Sequence, residues 1–177
     1  LSSEAQKAAV AQLAAEGDRL QLADPRFRRE LAAWLRPNRA LRPRHDGMPG
    51  YTQGRGDLAS LVGPLVVRTF DVGDGQAARD EALATGSPAL VVLGTKGDAP
   101  RDWLASGQAL ARLLLRARVD GVDASYLNQP VEIEALRGRL AALVEMPGEH
   151  PQMVIRMGYG PETRPTPRRA LDKVLAH

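Results

Sequence analysis

The segment "VDASYLNQPVEIEALRGRLAALVEMPGEHPQMVIRMGY", residues 122–159, carries the pattern that decides the fold. It begins with an extended run at 122–128, continues with a helical pattern opened by Pro130 at 130–144, and ends with a strand pattern at 151–159. Alternation of strands and helices is typical of a parallel α/β sheet. A mixed α+β sheet fits the same segment lengths, so the pattern alone leaves both architectures open.

The rest of the chain predicts further regular elements. Helical patterns cover residues 3–16, 74–85 and 99–121, and strand patterns cover residues 64–72 and 88–95. Another helix begins at Pro25 with Asp24 as its N-cap, and its Phe27 and Trp34 have the spacing of core residues. Gly107 is expected to permit close helix packing. We therefore predict one domain over residues 1–177, a length that suits a single core.

One long segment, residues 36–60, lacks any period and is rich in Pro, Gly and Arg. Irregular segments of this length are uncommon inside compact domains. We interpret it as an active-site or interface loop, or as a flexible excursion from the domain.

Composition excludes several classes of protein. The 177 residues contain no cysteine, and no apolar run approaches the roughly 20 residues that cross a bilayer. Both facts favour a cytoplasmic protein without membrane contact. The net charge is +3 and the pI is about 9.7, but acidic residues are interspersed with the arginines. This mixture argues against a dedicated nucleic-acid binder, which concentrates its cations on one face.

Several kinds of catalytic site are also excluded by their missing motifs. The three histidines, at positions 45, 150 and 177, lack the spacing of metal ligands, so no metal is expected. No G-x-S-x-G elbow or phosphate-binding P-loop occurs. The turn in "VVLGTKGDAP" follows a strand but lacks the glycine spacing of a dinucleotide fingerprint, and Asp98 within it is a possible cap for the next helix.

Two other segments could contact a ligand. In "RMGYGPETRPTPRRALDKV", residues 156–174, Thr166 could cap a helix whose first turn holds Arg168 and Arg169. A helix N-terminus favours anions and disfavours arginines, so an arginine pair there suggests a bound phosphate, whereas the alternative is a solvated pair. In "ASYLNQPVE", residues 124–132, Tyr126 and Leu127 could form a flat wall, or the segment could be a plain connection.

These same segments resemble the nitroreductase family of FMN proteins. The resemblance rests on "WLASGQALARLLLRARVDGVDASYLNQPVEI", "PQMVIRMGYGPETRPTPRRALDKV", "ELAAWLRPNRALRPRHDGMP" and "SPALVVLGTKGD", and it is closest to the actinobacterial Acg-type branch. It implies an α+β fold with a mixed, largely antiparallel sheet flanked by helices. It also implies a two-lobed homodimer, or one chain with two fused halves, of which this chain resembles the second. Residue 1 would then be an internal position, or the short form would dimerise.

Site residues follow from the resemblance by position. Arg168 and Arg169 match the basic residues that hold the FMN phosphate. The segment along the isoalloxazine ring corresponds to Tyr126, Leu127, Asn128 and Gln129. The loop with Asp46, Gly47, Met48 and Pro49 is implied to line the same cleft. The R-[RS]-S-x-R element of typical nitroreductases does not occur, so part of the phosphate site would come from another segment or chain.

The implied function is an FMN-dependent oxidoreductase, with NAD(P)H as a possible electron source and a nitro or quinone compound as acceptor. Two alternatives remain open at this point: a protein of the same fold that stores FMN without turnover, and a polyanion-binding domain. No side chain is an obvious catalytic acid, because the flavin itself carries the chemistry.

Overall fold

In the computed structural model, which describes residues 1, 3–39 and 45–175, the chain is α+β, as predicted. Its helices are α1 (Glu4–Ala23), α2 (Pro25–Trp34), α3 (Asp57–Thr69), α4 (Gly73–Thr85), α5 (Pro100–Val119), α6 (Gln129–Glu132) and α7 (Glu134–Leu143). Its strands are β1 (Leu35–Arg36), β2 (Met48–Pro49), β3 (Ala89–Thr95), β4 (Asp123–Tyr126) and β5 (His150–Gly158). Short 3-10 helices cover Gly50–Gln53 and Leu171–Lys173.

The chain divides into two compact units. The first unit comprises Leu1–Gln21 and Gly73–Gly160, and the second comprises Leu22–Val72 and Pro161–His177. The prediction of a single domain over residues 1–177 stays a prediction.

An antiparallel sheet organises the first unit. Its strand order is β3-β5-β4, so β5 pairs on both sides, with Val92 opposite Val154 and Tyr126 opposite Ile155. This pairing settles the question that the sequence pattern left open, because a parallel arrangement would need crossovers between the same strands. Apolar side chains from the sheet and from α1, α4 and α7 form its core: Val10, Ala11, Leu13, Ala84, Leu90, Leu127, Leu136, Leu140 and Val154.

The second unit consists of α2, α3 and short extended pieces. α2 packs against α3, and β1 pairs with β2 in parallel, with Leu35 opposite Met48. Asp24 caps α2 as predicted, since its side chain accepts a hydrogen bond of 2.7 Å from the backbone N–H of Arg26. Within the described residues, no helix is long and apolar enough to cross a bilayer.

One strand prediction was wrong. Residues 64–72 belong in large part to α3, although their β-branched side chains favour a strand. The buried residues of α3 are Ser60, Gly63 and Val67, which recur at helical spacing, whereas Leu61 and Leu65 are largely exposed. The strand prediction failed because it assumed that the largest apolar residues are buried. In α3 the smaller residues are buried instead.

Other helix limits also differ from prediction. α1 continues to Ala23 rather than ending at residue 16, because its buried stripe extends to Leu22. The helix predicted at 130–144 divides into α6 and α7, since Ile133 has extended backbone angles. The irregular segment 36–60 contains β2 and a 3-10 helix, and its last residues already belong to α3. No helix begins at Pro167; residues 161–170 have no regular structure.

Three residue predictions were wrong as well. Trp34 is 48% exposed and does not lie in a core. A Cβ on Gly107 would meet no atom within 4 Å, so this glycine does not permit a close helix contact in the described residues. Asp98 does not cap α5. Instead it accepts bonds from both Nη atoms of Arg137, at 2.6 and 3.0 Å, and from Trp103 Nε1 at 2.8 Å, and these bonds lower its pKa.

Candidate functional site

The segment Tyr126–Gln129 lies in the first unit where β4 ends and α6 begins. Tyr126 is half exposed, so one part of its ring is open to solvent. Leu127 is 2% exposed and belongs to the core, and its backbone N–H donates to the carbonyl of Val154 at 2.9 Å. Of the predicted wall, therefore, only Tyr126 presents its side chain outward.

Asn128 and Gln129 use their side chains inside the protein. The Oδ1 of Asn128 accepts a bond from the backbone N–H of Val154 at 3.0 Å, and its Nδ2 contacts the sulfur of Met153 at 3.4 Å. The Nε2 of Gln129 donates to Asp18 and to Asp80, at 2.9 Å in both cases. These side chains fix the backbone of the segment, and any contact that the segment makes with a ligand comes from its backbone and from Tyr126.

The two aspartates under Gln129 were missed by the sequence analysis. Asp18 and Asp80 are 4% and 8% exposed, although they come from different helices, α1 and α4. Burial raises the pKa of Asp18 from 3.8 to about 7, the bond from Gln129 opposes this rise, and the neighbouring Asp80 carboxyl adds to it. A signal was present: both aspartates fall on the buried stripe of their helix, where the pattern otherwise has alanine or leucine.

α1 approaches the segment closely at Gly17. A Cβ on this residue would lie 2.6 Å from the Cβ of Gln129 and 3.2 Å from its backbone carbonyl carbon. Real Cβ atoms do not come so near, so only glycine allows this contact. Gly17 thus places Asp18, the next residue, within reach of Gln129.

In the second unit, the loop with Gly47 and Met48 is tied to the end of α2. Gly47 has a φ of 77°, and a Cβ there would lie 2.4 Å from the backbone oxygen of Trp34. Asp46 accepts two bonds from Arg36, at 3.1 and 3.0 Å. Met48 is 37% exposed and pairs with Leu35. The loop is therefore fixed in place, and Met48 is the side chain that it presents outward.

Asn38 joins this loop to α3. Its Oδ1 accepts a bond from the backbone N–H of Tyr51 at 2.6 Å, and its Nδ2 donates to the carbonyl of Arg55 at 2.9 Å. Its backbone N–H donates to the Oγ of Ser60 at 2.9 Å. One amide side chain thus organises a segment that sequence analysis could describe only as irregular.

The chain after residue 160 packs on the same loop. The guanidinium of Arg164 lies 3.9 Å from the centre of the Tyr51 ring, and its Nη2 donates to the backbone oxygen of Asn38 at 3.3 Å. The hydroxyl of Tyr51 donates to the carbonyl of Pro165 at 3.2 Å. A cation above an aromatic ring contributes about 0.5–1 kcal/mol at an exposed site. These contacts place the closing segment beside the Gly47–Met48 loop within the second unit.

Arg168 and Arg169 are both exposed. The Nη1 of Arg168 donates to the hydroxyl of Thr166 and, at 3.3 Å, to its carbonyl. Among the residues that the structure describes, Arg169 makes no hydrogen bond or ion pair with another side chain. Since no helix starts at Pro167, helix-end N–H groups do not assist them, and the guanidinium groups alone would have to hold an anion.

The donor set fits FMN in its chemistry. Two adjacent guanidinium groups suit a dianionic phosphate, and an open tyrosine face beside a fixed backbone suits a planar ring. The predicted residues form two groups, Tyr126–Gln129 in the first unit and Gly47, Met48, Arg168 and Arg169 in the second. In the described part of the chain, no group of three or more His, Asp or Glu residues could hold a metal.

Comparison with known proteins identified relatives by sequence. The chain is 29% identical over 174 residues to "Putative NAD(P)H nitroreductase Rv3131" of Mycobacterium tuberculosis, covering 96% of this chain and 47% of that protein. It is 34% identical over 90 residues to "Putative NAD(P)H nitroreductase acg" of the same species, covering 49% of this chain and 27% of that protein. The chain thus spans about half the length of the first relative.

These relatives confirm the resemblance to the nitroreductase family and to its Acg-type branch. No family model matches the chain. No solved structure matches it either.

Proposed function

We propose that the chain, which is similar to mycobacterial proteins named as NAD(P)H nitroreductases, is an FMN-binding, nitroreductase-like oxidoreductase. The observation that carries the proposal is the similarity to a protein named as an NAD(P)H nitroreductase along 96% of the chain. Each unit supports it separately: the second has the exposed pair Arg168 and Arg169, which suits a phosphate, and the first has the half-exposed ring of Tyr126, which suits a planar ring.

Each group has its own role in this proposal. Arg168 and Arg169 bind the phosphate. In the first unit, the ring of Tyr126 and the backbone of residues 127–129 contact the isoalloxazine. In the second unit, Gly47 and Met48 are the proposed flavin contacts of their loop. When bound, FMN supplies the electron-transfer chemistry, and the chain's residues bind it, orient it and exclude water.

Titration with FMN tests this proposal directly. Flavin fluorescence should be quenched as FMN binds, and the double variant Arg168→Ala with Arg169→Ala should weaken binding. Each charge-assisted bond contributes roughly 1.5–3 kcal/mol, which corresponds to about a 10- to 100-fold loss of affinity per arginine. The matched control is Arg29→Ala, an exposed arginine on α2, for which little change is expected. Absence of quenching in the wild-type chain, or equal binding by the double variant, would contradict the proposal.

Reduction of an acceptor is the proposed activity, with NAD(P)H as electron source and a nitro or quinone compound as acceptor. One observation favours the alternative of FMN storage: Asn128 and Gln129 both bond internally, so neither offers a free polar side chain to a substrate. Oxidation of NADPH or NADH by FMN-loaded protein, measured with nitrofurazone and menadione, separates the two. Sustained turnover supports the oxidoreductase, and a bound but unreactive flavin supports storage.

A second nitroreductase-like half is the proposed partner, either another copy or the other half of a longer protein. The support is the surface of α3, where large apolar side chains are exposed over one side: Leu58 76%, Leu61 61%, Val62 45%, Leu65 68% and Val66 38%. Contiguous apolar surface of this kind marks interaction sites. The length of the relatives, about twice that of the chain, agrees with a protein made of two such halves.

Light scattering after size-exclusion chromatography tests this partner. The wild-type chain should run as a dimer, and Leu61→Glu should yield a monomer, because a charge in a buried interface is strongly unfavourable. Leu20→Glu is the control, since Leu20 is also an exposed leucine, at 51%, but lies on α1. A wild-type monomer at all concentrations, or a Leu61→Glu dimer, would count against the α3 surface as an interface between copies.

A further inference from the structure

Two buried carboxyl groups of the first unit, Asp18 and Asp80, accept hydrogen bonds from the side chain of Gln129. Its single amide nitrogen donates to Asp18 Oδ1 and to Asp80 Oδ2, at 2.9 Å in each case. The other oxygen of Asp80 accepts a bond of 3.1 Å from Gln76, a neighbour on α4. We call Asp18, Asp80 and Gln129 the clamp. It joins three separate parts of the chain, α1, α4 and the start of α6, at the segment Tyr126–Gln129.

The clamp contains buried acceptor atoms that have no hydrogen-bond donor in the part of the chain that the structure describes. Asp18 Oδ2 and Gln129 Oε1 are both buried acceptors without a hydrogen-bond partner among the described residues. Two ionised carboxylates in contact repel one another, and a buried acceptor without a donor is costly. A single proton on Asp18 removes one of the two charges and turns its unpartnered oxygen from an acceptor into a donor. The raised pKa of Asp18 agrees with this reading.

We propose that Asp18 and Asp80, sharing one proton, are positioning residues that hold Gln129 and thereby fix the backbone of Tyr126–Gln129 against the flavin ring. This inference rests on the proposed function only for the identity of the ring. The shared proton makes the position of the segment depend on pH. When Asp18 ionises, the two carboxylates repel each other and the clamp loosens.

Few other charges act on the pair. Arg19, next to Asp18 on α1, attracts it weakly and is itself bonded to Asp74 at 3.0 Å. Three charged groups on the neighbouring turns have partners of their own: Glu16 bonds to Arg139, Glu132 accepts a bond from Gln21, and Arg79, next to Asp80, also has a partner. No cation among these donates to Asp18 directly, so ionisation of Asp18 would leave its new charge unneutralised.

Amide resonances test the clamp without any flavin. In ¹H–¹⁵N spectra of the chain, the backbone amides of residues 126–129 and the side-chain amide of Gln129 should titrate with a midpoint near pH 7. They should not titrate in Asp18→Asn, whose amide imitates the protonated acid. In Asp80→Asn the midpoint should move to lower pH, because the like charge is gone. Amides that are flat between about pH 5.5 and pH 8.5 in the wild-type chain, or equal titration in Asp18→Asn, would overturn the inference.

FMN binding supplies the functional test. The dissociation constant of the wild-type chain should rise by about tenfold from pH 6 to pH 8, the effect of losing one coupled proton. Asp18→Asn should lose this dependence, whereas Asp18→Ala, which lacks the clamp, should bind weakly at both pH values. If Asp18→Ala does not fold, Asp80→Asn is measured in its place. The pH dependence of its FMN binding should have a midpoint at lower pH than that of the wild type. Equal pH profiles for the wild type and Asp18→Asn would overturn the inference.

Failure of the proposed function gives a different result. A chain that binds no FMN at any pH refutes the flavin assignment, while the amide titration still decides whether the proton fixes the segment. A chain that binds FMN with a pH profile unaffected by Asp18→Asn keeps the proposed function and loses the inference.

Discussion

Replacing Asp18 by asparagine should stabilise the chain by an amount that grows as the pH rises from about 4 to about 7 and then stays constant. The folded-state pKa of Asp18 is raised, so the acid contributes its full stability when protonated, below its unfolded pKa of about 4, and loses it as the pH rises through 7. Asparagine keeps the acceptor for Gln129, yet it never ionises. The variant therefore retains at pH 8 the part of the free energy of unfolding that the wild type loses when Asp18 ionises.

The magnitude follows from the raised pKa. A pKa that rises from 3.8 to about 7 corresponds to roughly 4 kcal/mol between the fully protonated and fully ionised limits. Between about pH 5 and pH 8, the free energy of unfolding of the wild type should fall by roughly 2–3 kcal/mol relative to the variant. Every other titrating group is common to both proteins and cancels in the comparison.

Urea denaturation at a series of pH values is the assay, with the midpoint and slope read at each pH. Asp74→Asn is the matched control, because Asp74 lies on α4 with Asp80 but its side chain is 95% exposed. Its ion pair with Arg19 is a surface pair, so the control should change stability by about 0.5 kcal/mol or less at every pH. A constant difference between wild type and Asp18→Asn across the pH range would refute the reasoning.

Four further substitutions test other parts of the structure. Gly17→Ala should destabilise the chain by roughly 1–3 kcal/mol, since its Cβ would collide with Gln129, whereas Gly138→Ala, whose Cβ meets nothing within 4 Å, should stabilise α7 by about 0.5–1 kcal/mol in thermal melts. Asn38→Ala should cost roughly 1–3 kcal/mol in chemical denaturation, because two partly buried backbone groups lose their hydrogen bonds; an unchanged midpoint would show that the loop does not depend on Asn38. Asp24→Ala should cost about 1 kcal/mol in urea denaturation through loss of the α2 cap, and an unchanged midpoint would show that α2 does not depend on this cap.

Sequence patterns predicted the local elements better than the contacts between them. α2 begins at Pro25 as predicted because a cap and a first-turn proline act locally, within four residues. β3, β4 and β5 were also located, but their antiparallel order depends on pairing across the chain, which a single sequence does not specify. α3 was mistaken for a strand because burial of its small face depends on what packs there.

The candidate site shows the same limit. Tyr126 could be identified by its place after a strand, and its half-exposed ring agrees with that choice. Gln129 was chosen as a ligand contact, but its amide lies against Asp18 and Asp80, which are far from it in sequence. Arg168 and Arg169 were expected on a helix, and the segment instead packs through Arg164 on Tyr51, a contact between residues more than a hundred positions apart.

The composition of α3 has a practical consequence. The apolar side of α3 faces water, while its serine and glycine face the protein. Concentrated solutions of the isolated polypeptide should therefore scatter light and bind hydrophobic dyes such as ANS. Crystallisation trials would then gain more from mutating two of these leucines to polar residues than from changing the buffer. Co-expression with a complementary polypeptide should reduce this aggregation and dye binding without any mutation.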